Sequence, residues 1–199
     1  DQFCPGPITF ILKKKHGSKI NHLACAKLST VAIRFPEHRV TRSILKGINF
    51  PLAMPSANKS MNISPVTPED VFDEFKKRIQ VIIDGGKCKV GIESTVIDLC
   101  NEPKILRPGI IDKNSIEKIL KKKIKKNIIN RKIRSPGMMK KHYSPGIPVI
   151  LNQTKHDGKS AFIYLGKKHK NKKKFFSLSK NFNLDEAASN LYKIFRLIK

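Results

Sequence analysis

The chain has no tryptophan, three tyrosines, and 15 acidic residues against 41 lysines and arginines among its 199 residues. The scarcity of tyrosine and tryptophan leaves fewer rings for a base-stacking RNA surface, and no RNA-recognition motif is present. No run approaches the length of uninterrupted apolar sequence that a membrane-spanning helix needs, and the first residues carry neither a basic n-region nor an apolar core. The expectation is a soluble, cytoplasmic protein with no membrane partner. Cys4, Cys25, Cys88 and Cys100 are too widely separated for a Cys-x-x-Cys pair, which leaves them as small buried hydrophobes. Gly158-Lys159-Ser160 has Gln153 where a phosphate-binding P-loop needs glycine, and G-x-G-x-x-G, G-x-S-x-G and H-E-x-x-H are absent. The six histidines are scattered, so no metal ligand is expected among them.

The shortage of acid gives a net charge of +26, and its distribution matters more than its size. Residues 113–142 contribute +11 and residues 166–180 contribute +7. Two readings are open: solvated faces or linkers, or attraction for a polyanion such as RNA or a nucleotide.

Residues 8–13 and 30–35 read as short apolar strands, and 38–46 as a helix closed by Gly47. A brief strand at 51–54 leads into PSANKSMNISP, residues 55–65, a loop rich in hydrogen-bonding groups. Thr67, Pro68, Glu69 and Asp70 form a helix start, with a capping hydroxyl, proline in the first turn and acids at the positive end of the dipole. Strands are expected at 80–84, 95–99 and 104–107, then a helix capped by Asn114 or Ser115 and running to about Lys122. Residues 123–147 are basic and broken by proline and glycine, and read as an interdomain linker. Strands at 148–151 and 160–165 and an amphipathic helix at 184–198 follow. The alternation makes an α/β (α+β) chain with divisions at 1–122, 123–147 and 148–199. The missing initiator methionine and the uncapped final helix are read as signs of a fragment.

A series of turn-bearing strings runs through this framework: PGPIT at 5–9, TVAIRFPEH at 30–38, PLAMPSAN at 51–58, SP at 64–65, DGG at 84–86, GIESTVID at 91–98, LRPG at 106–109 and SPGMMKKHYSP at 135–145. Singly each is weak. Arg34 and Arg107 stand at strand ends beside hydroxyl-rich loops, an arrangement suited to a substrate with phosphates and a carboxylate, though Arg34 paired with a structural acid is equally open. Ser56, Asn58 and Ser64 can donate to phosphate oxygens or can cap the loop. Glu93 and Asp98, flanking Ser94 and Thr95, read as a catalytic or metal pair or as caps, and Tyr143 as a packing residue.

In this order and together, the strings resemble the YrdC-type threonylcarbamoyl-AMP synthase family, in the two-domain version with a C-terminal extra domain. The resemblance implies a YrdC-like twisted open sheet with flanking helices, plus the start of a small Rossmann-like α/β domain. It implies a nucleotidyltransferase making threonylcarbamoyl-AMP from L-threonine, bicarbonate and ATP, with Mg2+ carried by the ATP. The product would feed a tRNA-modifying transferase complex that forms threonylcarbamoyladenosine. Carried over by motif, ATP would be contacted by Thr30, Ser56, Asn58, Ser64, Arg107 and Tyr143, and threonine by Arg34, Met54, Ser94 and Thr95. The family's N-terminal half-domain has no counterpart before Asp1. The rival reading from another class is a basic module binding double-stranded RNA or tRNA without catalysis.

Overall fold

The computed structural model describes residues 2–124, 143–167 and 173–199. Packing groups the chain into two compact units, Asp1–Pro55 with Glu93–Lys140, and Ser56–Ile92 with Lys141–Lys199. This grouping follows contacts, whereas the divisions drawn from sequence follow composition; most of the linker read at 123–147 lies outside the described residues.

The first unit is built on a four-stranded sheet in the order β2-β1-β3-β4, with β1 at Ile8–Lys13, β2 at Thr30–Ile33, β3 at Thr95–Asp98 and β4 at Lys104–Arg107. β1 runs antiparallel to β2 and parallel to β3, and β3 is antiparallel to β4. All four residues of the interior strand β3 are buried: Val96 and Ile97 are apolar, while the buried polar groups of Thr95 and Asp98 are satisfied by hydrogen bonds. Phe10 and Ile97 are register partners on one face, where Ile8 and Ile97 pack with Ile111, Ile116 and Ile124. Ile116 belongs to α3 (Lys113–Leu120), the helix that covers this face. Between β2 and β3 lies α1 (Arg39–Lys46), closed at Gly47 as expected.

The second unit contains α2 (Pro68–Phe75), the parallel pair β5 (Phe162–Tyr164) and β6 (Phe175–Ser177), and the long α4 (Leu184–Ile198). The capping box at Thr67 forms as read: its hydroxyl accepts from the Asp70 amide at 3.2 Å while Asp70 accepts from the Thr67 amide at 3.1 Å. Tyr192 of α4 packs on Ile63 and Val66, with Tyr143, Leu191 and Phe195 around them.

Several expectations fail locally. Residues 51–54, 80–84 and 148–151 form no strand. Val81 and Ile83 are 75% and 60% exposed and Ile150 and Leu151 both 75%, so these runs have apolar content without a neighbouring strand to hydrogen-bond. The cap of α3 is Asp112, not Asn114 or Ser115; its carboxylate accepts from the Ser115 amide at 3.0 Å and the Ser115 hydroxyl at 2.6 Å. β6 was hidden inside a lysine run, because only three residues pair there.

Candidate functional site

In the first unit the turn Pro5-Gly6-Pro7 and the end of β2 are tied together. The Gly6 amide donates to the Phe35 carbonyl at 2.9 Å, and Arg34 Nε donates to the Gly6 carbonyl at 3.0 Å. Burial lowers the Arg34 pKa, Glu93 opposes the shift and the Arg107 charge adds to it. A guanidinium remains charged regardless, so the direction reports a cation partly stripped of water and facing a second one. Arg107, at the end of β4, donates through Nε to the Ser94 carbonyl at 3.0 Å and through Nη2 to Ser94 Oγ at 2.9 Å. Its Nη1 stands 4.0 Å from Glu93 Oε2, and Thr9 Oγ1 lies 2.8 Å from Ser94 Oγ. Arg107 thus faces Glu93 beside the Ser94–Thr9 hydroxyl pair, and the charge of Arg34 acts on the same cluster.

The close fit depends on Gly109. A Cβ there would stand 2.4 Å from the Thr95 amide nitrogen and 2.6 Å from the Glu93 carbonyl oxygen, so the LRPG turn presses against the backbone that carries Glu93 and Ser94.

The remaining candidates of this unit are placed differently. Thr95 is fully buried; its hydroxyl donates to the Ile111 carbonyl at 2.8 Å and accepts from the Ile111 amide at 3.2 Å, so it braces the chain behind Ser94. Met54 is exposed. Thr30 opens β2 and Arg34 follows its end, about 13 Å apart by strand rise. Thr30 lines a cavity of about 350 Å³ with Lys13, Lys14, Ser29 and Asn101. Asp98 accepts from the Cys100 amide at 2.9 Å and Glu93 faces Arg107, so the two acids have separate partners. Among the described residues no three histidine, cysteine, aspartate or glutamate side chains form a metal cluster.

The second unit holds Ser56, Asn58, Ser64 and Tyr143. Ser56 is exposed. Asn58 Nδ2 donates to the carbonyls of Lys59 and Asn62 at 2.8 and 3.1 Å, and the Ser64 hydroxyl donates to Asn58 Oδ1 at 3.4 Å. Tyr143 stacks on Tyr192 with ring centroids 6.0 Å apart, and its φ of 56° places a bulky residue in the left-handed region. The Ser144 amide donates to the Met61 carbonyl at 2.9 Å, which joins the Tyr143 segment to the same loop.

Glu74 on α2 accepts from the Lys59 amide at 2.8 Å and from Asn62 Nδ2 at 2.7 Å. Burial pushes its carboxyl upward, but the bonds from Asn62 and Lys59 and the Arg196 charge outweigh it and hold the group below the usual glutamate range. The contribution to stability is therefore present above that usual range and is lost as acid protonates the folded form.

Of the basic runs, Lys113 and Lys123 pair with Glu117, Lys122 with Glu102, and Lys174 donates to the Lys159 carbonyl at 2.7 Å. Thr9, Glu74 and Arg196 were missed by the sequence reading. Thr9 stood inside the PGPIT string, but the acid on α2 and the arginine on α4 carried no local signal.

Residues 1–109 match the family model of the Sua5, YciO and YrdC proteins, described as telomere recombination, and residues 111–199 match the threonylcarbamoyl-AMP synthase C-terminal domain. The chain is 35% identical over 161 residues to the threonylcarbamoyl-AMP synthase of Pyrococcus abyssi, covering 78% of this chain and 47% of that protein. It is 38% identical over 154 residues to the threonylcarbamoyl-AMP synthase of Bacillus subtilis, covering 75% and 44%. Against the crystal structure of P. abyssi Sua5 complexed with L-threonine, the TM-score is 0.85 at 31% identity, over 98% of this chain and 62% of that one. The twisted mixed sheet with flanking helices is therefore a shared fold. The chain spans about half the length of the curated relatives it matches.

Proposed function

The chain belongs to the Sua5, YciO and YrdC family, and from this premise we propose that it carries the substrate-contacting part of an L-threonylcarbamoyladenylate synthase. The reaction takes L-threonine, bicarbonate and ATP to threonylcarbamoyl-AMP and pyrophosphate. The observation that carries the reading is the convergence of Arg34, tied to the Pro5-Gly6-Pro7 turn through the Gly6 carbonyl, with Arg107, Ser94 and Glu93. A threonine carboxylate at Arg34 would replace the lost hydration with a charge-assisted pair, and Ser94, oriented by Arg107 and Thr9, would flank it. Thr95 enters as the brace of this pocket and Met54 as its exposed rim.

The candidates for ATP are Thr30 and Arg107 in the first unit and, separately, Ser56, Asn58, Ser64 and Tyr143 in the second, with Mg2+ arriving as the counter-ion of the nucleotide. The chemistry is positioning and charge stabilisation: the threonine amine captures carbon dioxide as a carbamate, whose oxygen attacks the α-phosphorus as pyrophosphate leaves. The carbamate is labile in water, so a residue such as Tyr143 that excludes solvent would raise the yield. The proposed partners are a tRNA-modifying transferase complex that consumes the product and tRNA itself, and the proposed compartment is the cytoplasm. No helix among the described residues is long and apolar enough to cross a membrane.

The test is ATP–pyrophosphate exchange with the protein carrying this sequence. Exchange that requires both threonine and bicarbonate supports the reading. Salt-sensitive RNA binding with no such exchange would replace it with the non-catalytic module.

A further inference from the structure

Arginine in the last turn of a helix is ordinarily explained by the negative end of the helix dipole. Arg196 of α4 does something else. Its Nη2 donates to the Ile63 carbonyl at 2.7 Å and its Nε to the Ser64 carbonyl at 3.4 Å, across 133 and 132 positions of sequence. The side chain is only 18% exposed, and it lies 3.9 Å from Asp70 Oδ2 and 3.6 Å from Glu74 Oε2. Those two acids are four residues apart on α2, a like-charge spacing that destabilises a helix unless a cation sits between them.

From this centre the contacts spread through the loop before α2. Asp70 accepts from the Val66 amide at 2.8 Å, fixing the chain just after Ser64. The second oxygen of Glu74 holds the Lys59 amide and the Asn62 side chain, and the Asn62 carbonyl accepts from Asn58. The Met61 carbonyl in turn accepts from Ser144, next to Tyr143. Three of the four nucleotide candidates in this unit, Asn58, Ser64 and Tyr143, thus lie within one or two contacts of Arg196 and its acids.

We propose that Arg196 is a positioning residue for the nucleotide: from α4 it sets the conformation of the 58–64 loop, so that the C-terminal helix tunes ATP affinity without touching ATP. This rests on the assignment of that loop to ATP. A lysine would keep the charge facing Asp70 and Glu74 but lacks the planar fork that reaches two carbonyls at once.

The experiment compares wild type, Arg196→Ala and Arg196→Lys by calorimetry with ATP and separately with threonine, alongside hydrogen exchange at the Lys59 amide and melting. Arg196→Ala should raise the Kd for ATP roughly tenfold, leave that for threonine unchanged and speed exchange at Lys59, with Arg196→Lys between it and wild type. Wild-type ATP affinity in Arg196→Ala would overturn the proposal alone. Equal losses of ATP and threonine affinity with a lower melting temperature would also overturn it, by making the role one of general stability. No ATP affinity in the wild-type protein would remove the reading of the loop and the proposal together.

Discussion

The two units hold their candidate groups by different means. In the first, Arg34 and Arg107 leave the ends of paired strands, and Ser94 precedes a strand whose residues are all buried. Their placement comes from a backbone ladder. In the second, Asn58 and Ser64 sit on a loop with no ladder of its own, and side-chain bonds from Glu74, Asp70 and Arg196 take its place. A ladder spreads the loss of one contact over its neighbours, whereas a side-chain network concentrates it. Loss of one side chain should therefore leave the backbone of the first unit in place but release the loop of the second, except where backbone packs directly on backbone.

Two glycines test that exception and should give the largest effects. Gly109 presses on the chain at Glu93–Thr95, and Gly91, with φ of 73°, would place a Cβ 2.6 Å from the Ser189 Cα on α4. Gly109→Ala should cost roughly 3 kcal/mol of stability, as overpacking against immovable backbone does. Gly91→Ala adds to such a clash the left-handed penalty of about 1–2 kcal/mol and should be the more damaging of the two. Chemical denaturation of each variant measures this, and a change under about 0.5 kcal/mol, the range of ordinary surface substitutions, would show that the contacts are not tight.

Arg34→Ala sharpens the contrast at the level of ligands. A charge-assisted hydrogen bond is worth about 1.5–3 kcal/mol, so threonine affinity should fall roughly tenfold or more while ATP affinity changes little. This is the mirror image of Arg196→Ala. Calorimetry with each ligand reads both, and unchanged threonine affinity would remove Arg34 from the carboxylate site.

Thr67→Ala should give the smallest effect, about 1 kcal/mol, the usual value of a lost helix cap. Its loss frees the start of α2 and with it Asp70, so the second unit should loosen while the sheet of the first keeps its amide protection. Uniform loss of protection across both units would mean that they unfold as one.

The legible parts of the fold were those specified locally. The Thr67 cap, the strands at Ile8–Lys13 and Lys104–Arg107 and the stop at Gly47 all follow from residues within one turn or one pleat. Residues 51–54, 80–84 and 148–151 looked equally strand-like, but a strand also needs a partner, and pairing is not a local property. The cap of α3 was misread because Asp112, Asn114 and Ser115 are all good capping residues, and only the entry angle selects among them. In the candidate cluster, the strand-end positions of Arg34, Ser94 and Arg107 were legible because turn strings mark where strands begin and end. Glu74 and Arg196 were not, because an acid and a base on amphipathic helices look like ordinary solvated charge until the fold brings them together across 122 positions.

That separation also bears on how the protein is made. The loop at 58–64 leaves the ribosome before the arginine that anchors it, which is added well over a hundred residues later. Until α4 is added, Asp70 and Glu74 face each other without their cation, and the loop has only its weaker local bonds. Loop closure over such a span carries an entropic penalty that grows slowly with length, so the late anchor is thermodynamically tolerable though slow to find. The 58–64 loop should thus take its final shape only after α4 has emerged.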